Sequence, residues 1–425
     1  MNSRRIIRRA LPGAVLAATT LWMQAQDNGR SNRMPGERPM RRVEVVRPGG
    51  SVVVADSPGH GYVQRQMVVG GTPMLKRTYM NNGVPQANFY RPFAYRGVNL
   101  AAYTPVRYYR PAFYSYMNTP WAQPVAYGWG WNSRPWFGYY GGYFTPYATY
   151  SSPAMWLTDY LIGATLEGGY EQQLAAQSGM MGGYAGAGPD AVMDPGVKQG
   201  IAAEVAGQIQ YEAAEQAAGY GADPAATMFT GGGNHVFVAS GALQANSDAG
   251  ACWLRAGDVV RTSGLPPGDS AAAPALVLSS RGMDCPRGST VWIGLADLQE
   301  MQNYMRATID RGLFEMQSRQ GQGGLPALPP GGAGAVDSPL AAQAQPDANA
   351  GAELTSVYQG AARTEPQAGS VYQPATPTLA LGLTIAEVKA IQGEPQKIVD
   401  LGEKKIYLYP ELKITFTGGR VTDIQ

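Results

Sequence analysis

Few residues in this chain are of types that do chemistry, and their spacing does not assemble a reaction. The two histidines, His60 in the segment SPGHGY and His235 ahead of an apolar run, have no partner at zinc-ligand spacing. Cys252 and Cys285 are the only cysteines. A redox-active pair is closely spaced at a helix start, and C-x-x-C does not occur. A serine elbow of the form G-x-S-x-G is missing, and no phosphate loop or dinucleotide fingerprint surrounds Gly182-Gly183 or Gly231-Gly232-Gly233, which read as turns. Glu204, Glu212 and Glu215 fall on one helical segment without a histidine or second carboxylate cluster and read as a solvated face. His235 reads as a strand residue. A non-enzyme is expected, with no catalytic group, cofactor or metal.

The elements around these residues are easier to read. Arg4, Arg5, Arg8 and Arg9 precede an apolar stretch from Ala10 to Met23, followed by Gln24-Ala25-Gln26. That is the pattern of a secretory signal peptide over 1–25, and no later run supplies roughly 20 apolar residues for a membrane span. In an exported chain a lone cysteine pair is most simply a disulfide, so Cys252–Cys285 is expected to be bonded.

Composition divides the remainder. The 425 residues include 55 Gly and 32 Pro, with only 15% charged, too little packed core for one continuous domain. The net charge of +2 hides an asymmetry, because Ser57 to Met155 contains no Asp or Glu. That stretch is also rich in Tyr, Trp, Pro and Gly, and 26–152 reads as a basic low-complexity region. Its candidate surface contacts are Arg107, Arg110, Trp129, Trp131, Arg134 and Trp136, where arginine beside aromatics suits cation–π contact, sugar stacking or an anionic surface. The plainer alternative is local packing of the aromatics. Nucleic acid is not expected, since a stacking platform needs a basic groove that follows the backbone.

A helical region is predicted over 153–230. Trp156, Leu157, Tyr160, Leu161 and Leu166 form one stripe, weakened at Gly168-Gly169; Val197, Ile201, Val205 and Ile209 form another after Asp194-Pro195. From 231 to 326 the pattern predicts strands at 235–240, 251–263, 273–280 and 289–295, then a helix with Leu298, Met301, Met305, Ile309, Leu313 and Met316 on one side. The expected fold is a small disulfide-linked β barrel or sandwich of SH3-like size, its helix covering an open barrel end or a sheet face. Residues 327–377 read as a disordered linker.

The tail, 378–425, reads as a small α+β module. Thr384 and Glu387 stand in capping-box spacing, Gly393 ends the helix, Pro395 prevents its resumption, and three strands follow, with Phe416 as a core anchor. Gly382-Leu383-Thr384, Glu387-Val388, Gly393-Glu394-Pro395, Tyr407, Tyr409-Pro410, Phe416 and Gly419-Arg420-Val421 resemble the SmpA/OmlA family, the BamE-like small proteins of outer-membrane assembly, and related β-lactamase-inhibitor-like modules. The resemblance covers 379–425 and implies a partner-binding role at the outer membrane. The segments CWLRAGDV, DCPRGSTV and ADLQEMQNYMRATIDRGL are similar to Tyr/Pro-rich exported proteins of soil-type Gram-negative bacteria, implying envelope placement. The resulting expectation is a multidomain exported interaction or scaffold protein, periplasmic or outer-membrane associated. An envelope protein would engage the tail, and an outer-membrane or glycan surface the aromatic tract. The alternative is a periplasmic binding module for a glycan or peptide.

Overall fold

The computed structural model describes residues 43–47, 50–57, 60–81, 83–177, 192–219, 233–363 apart from 265, 269 and 283, and 383–424 apart from 393, 410 and 411. The expected signal peptide lies outside them. The described residues form a multidomain α+β chain with four sheets, and none of their helices is long and apolar enough to cross a membrane.

The first sheet corrects the low-complexity reading of 26–152. Strands β1 Val43–Val46, β2 Val52–Ser57, β3 His60–Val69, β4 Thr72–Asn81, β5 Val84–Tyr95 and β6 Val98–Thr104 form an antiparallel meander in chain order. Its two-residue hairpins use Gly70-Gly71, both at positive φ, and Arg96-Gly97, also both positive. Such left-handed pairs match the strand twist. Pro92 lies beyond the last β4 partner of β5, at Tyr90, and pairs only with Ala101 of β6, so its missing N–H removes no bond on the β4 side. After the meander come β7 Arg107–Tyr109 and the helices α1 Pro111–Met117 and α2 Pro135–Tyr140. A proline opens each helix, where a missing N–H costs nothing.

Helices α3 Pro153–Gln177 and α4 Pro195–Ala217 pack in the main core. Trp156, Leu157, Leu161 and Leu166 of α3 and Val197, Ile201, Val205 and Ile209 of α4 are buried, as their stripes predict. Asp194 caps α4 by accepting from Gly196 N at 2.7 Å. Gly168-Gly169 does not end α3. A Cβ on Gly169 would come within 2.5 Å of the Ala256 Cβ, so glycine there permits close approach of the next domain.

That domain is an open sheet rather than a closed SH3-like barrel. Strands β8 Val236–Val238, β9 Leu243–Ser247, β10 Gly250–Leu254, β11 Val259–Thr262, β12 Ala272–Ser279 and β13 Thr290–Gly294 lie in the order β10-β9-β13-β12-β11-β8. The strand candidate 251–263 divides into β10 and β11 at Gly257-Asp258, residue types that suit a tight turn; Gly257 has positive φ, and Asp258 accepts from the backbone N–H groups of Arg255 and Arg281 at 2.8 and 2.9 Å. Cys252 of β10 is disulfide-bonded to Cys285. Helix α5 Leu295–Ser318 follows. Its six apolar residues are buried as predicted. That side covers a face of this sheet, the second of the two expected placements, and the opposite side of α5 meets β6, so the helix joins two sheets. Asn303 accepts from Tyr103 N at 2.8 Å and donates to Ala101 O at 2.7 Å.

The expected disordered linker of 327–377 is corrected over 327–363. Strand β14 Ala335–Asp337 pairs with β7, and helix α6 Ala350–Arg363 lies on β2 and β3. Ala350 and Leu354 pack on Val53, Ala55 and Val63. Arg47 and Arg65 reach Glu353 at 2.6 and 2.9 Å, and Arg65 also reaches Asp347. Residues 364–377 lie outside the described set. In the tail, helix α7 Ile385–Gln392 precedes four strands where three were expected: β15 Lys397–Leu401, β16 Lys404–Tyr409, β17 Leu412–Thr417 and β18 Arg420–Ile424, paired in chain order.

Candidate functional site

The aromatic candidates do not form one contact surface. Trp136 is only 2% exposed. Trp131 stacks on Trp129 at 4.2 Å, Trp129 on Trp156 at 4.7 Å and Trp156 on Tyr160 at 5.5 Å, a ladder running from half-buried rings into the core. The Trp129 indole donates to Tyr150 Oη at 2.6 Å. Local packing thus accounts for these rings. Arg107, Arg110 and Arg134 remain exposed, with Arg107 3.3 Å from Asp337. The ladder rests on a buried ion pair, in which Lys198 of α4 lies 2.6 Å from Asp159 of α3 and 3.6 Å from the Tyr147 ring centre. Burial lowers the Lys198 pKa and raises that of Asp159, each partner opposing the shift of the other.

The three glutamates are not a solvated face. Glu204 sits 3.1 Å from Nδ1 of His235. Glu212 and Glu215 are 4% and 9% exposed, within a polar junction of β6, α1, α4 and α5. Tyr114 Oη donates to Glu212 at 2.6 Å, Tyr103 Oη to Asp310 at 2.7 Å, and Arg306 to Glu215 at 2.6 Å and to Tyr103 O at 2.8 Å. Burial, then the charge of Asp310, pushes Glu212 up to about 8; the Tyr114 hydroxyl and Arg306 hold it from rising further. Burial also raises Asp310 to about 6, against Tyr103 and Arg306. Arg311 and Arg107 also oppose the rise at Asp310, whereas Glu212 is pushed up further by the neighbouring Glu215. Burial opposes the Arg306 charge, yet Glu215 and Glu212 keep its pKa above the ordinary value. The junction ties the meander to three helices, α1, α4 and α5. Glu212 continues the stripe Ile201, Val205, Ile209 at the next helical step, the one sequence feature that hints at its burial, while its partners come from distant segments.

The tail has its own core of Val388, Tyr407, Tyr409, Ile414, Phe416 and Val421. Phe416 is fully buried, its ring 4.8 Å from that of Tyr407. Thr384 immediately precedes α7, its carbonyl accepting from Val388 N at 3.0 Å, and Val421 N donates to Leu383 O at 2.8 Å. Pro395 is half-buried, while Gly393 and the Glu387 side chain lie outside the described set. Strand β15 is an edge of this sheet and exposes Ile398 at 47% and Leu401 at 61%. A shallow depression along α6, lined by Gly351, Thr355, Ser356 and Gln359 among others, has no charged lining residue, and the Thr355 hydroxyl already donates to Gly351 O. Among the described residues no cluster of three or more His, Cys, Asp or Glu could hold a metal ion.

Compared with family models, with curated proteins and with solved structures, the chain matches none.

Proposed function

We propose that this chain is an exported interaction or scaffold protein of a bacterial envelope, in which the body of two six-stranded sheets and their helices is a rigid platform and the tail engages a protein partner. The observation that carries the reading is the tail's construction. A unit with its own core offers an edge strand with two exposed aliphatic side chains; strand edges accept extended partner segments through backbone bonds, and apolar side chains on a sheet face accept helical ones. Export is supported by the arginine-rich, apolar start of the sequence and by the disulfide, which persists in oxidising compartments. Scaffold character is supported by the way the buried charges are used. Glu212, Glu215, Asp310, Arg306, Lys198 and Asp159 hold elements together.

The test is crosslinking of the full-length protein in its native cells, compared with a chain lacking 378–425. Loss of specific envelope neighbours on deletion supports the reading. An unchanged set of neighbours would mean the tail is not the adaptor. Recovery of the protein from cytosol alone would remove the envelope.

A further inference from the structure

Strand alternation sorts the side chains of β15, β16 and β17 onto two faces. Tyr407, Tyr409, Ile414 and Phe416 share a face with Val388 and make the core. On the other face the register sets Val399 opposite Ile406 and Ile406 opposite Thr415. Leu401 lies opposite Lys404 in one flanking row, and Lys397 opposite Leu408 in the other. Val399, Ile406 and Leu408 are half-buried there, while Leu401 is 61% exposed. These four residues make a diagonal apolar band. Lys404 borders it on one side and Lys397 on the other, with Lys413 next to Leu408 on β17. Asp423, opposite Thr415, places one carboxylate at the far margin.

We propose that this lysine-bordered band docks an acidic amphipathic helix of a protein partner. The proposal rests on the reading of the tail as a partner-binding unit and names the chemistry of that partner. The band crosses two strands and three rows, about 5 Å by about 14 Å, which is the footprint of one helix of roughly 10 Å diameter rather than of a lipid plane. Apolar residues at i, i+3, i+4 and i+7 of such a helix cover the band, and carboxylates along its flanks meet Lys397 and Lys404. A second copy of the same face would set lysines against lysines, so self-association there is disfavoured.

The test uses the intact protein and a labelled peptide of roughly 18 residues with leucine at the helical apolar positions and glutamate elsewhere. A counterpart has lysine in place of glutamate, and vesicles containing phosphatidylglycerol form a third probe. The acidic peptide should bind, the basic one should not, and added salt should weaken binding. Leu401→Ser and Lys404→Glu, both at exposed positions, should each weaken it about tenfold while leaving the far-UV spectrum unchanged. Equal binding of both peptides, indifference to both variants, or binding to vesicles alone would overturn the proposal. If deleting 378–425 removes crosslinked neighbours but the two variants do not, this face is wrong and the adaptor reading stands. If deletion removes none, the adaptor reading itself fails.

Discussion

A proton on Glu212 favours the folded chain, because burial raises its folded value to about 8 from an ordinary 4.5. A raised folded value means that this contribution is fully present below about pH 4.5 and is lost as pH rises through about 8. Urea unfolding should therefore show a less stable body at pH 9 than at pH 5, by an amount on the order of 4 kcal/mol. In Glu212→Gln most of that slope should vanish. An equally steep slope in the variant would assign the pH dependence elsewhere. In the tail, Phe416→Ala should cost about 3 kcal/mol by opening the core, whereas Thr384→Ala should cost about 1 kcal/mol through the helix cap. Thermal melts of the two variants check the order, and a larger loss for Thr384 would reverse it. Apolar residues were the legible ones: the stripes of α3, α4 and α5 sit inside where their period places them. Charged residues were not, because a glutamate in a helix reads as solvated until its partners, here Tyr114 and Arg306, arrive from distant segments.

Elements of the 43–104 meander follow from hairpin signals that composition obscured. Gly70-Gly71 and Arg96-Gly97 separate runs of strand length, a pattern that states turn positions directly. Abundant Pro and Gly read instead as interruption, although these residues sit in the turns and on singly paired stretches. Strand β15 was missed because its alternation of charge and apolar residues is short, and β9 because LQANS carries little β propensity. Gly61 gives a sharp test of the meander. It has φ of +129°, and an added Cβ would meet the Val54 carbonyl oxygen. Gly61→Ala should thus destabilise the meander by about 2 kcal/mol or more. A variant with unchanged unfolding would show that the β2–β3 bulge relaxes freely.

Across the whole molecule, the disulfide and the tail should respond separately. The bond closes 33 residues of sequence, and the chain-entropy estimate for such a loop is about 3.7 kcal/mol. Reduction, or Cys252→Ser with Cys285→Ser, should lower the unfolding midpoint of the middle sheet and leave the tail's transition in place. Simultaneous loss of both transitions would show one cooperative unit. Bonding of the cysteines was foreseeable from their number. The open sheet was not, since strand lengths alone leave closure undetermined.

Helix α6 has a consequence for distance. It is clasped to the first sheet through Arg47 and Arg65, so the chain leaves that anchorage at Arg363 and re-enters described structure at Leu383. Residues 364–382 span at most about 70 Å at about 3.5 Å per residue. That contour is the upper bound on the distance from Arg363 to Leu383. If the tail holds a partner, as we propose, the same bound fixes how far from the first sheet that partner can lie.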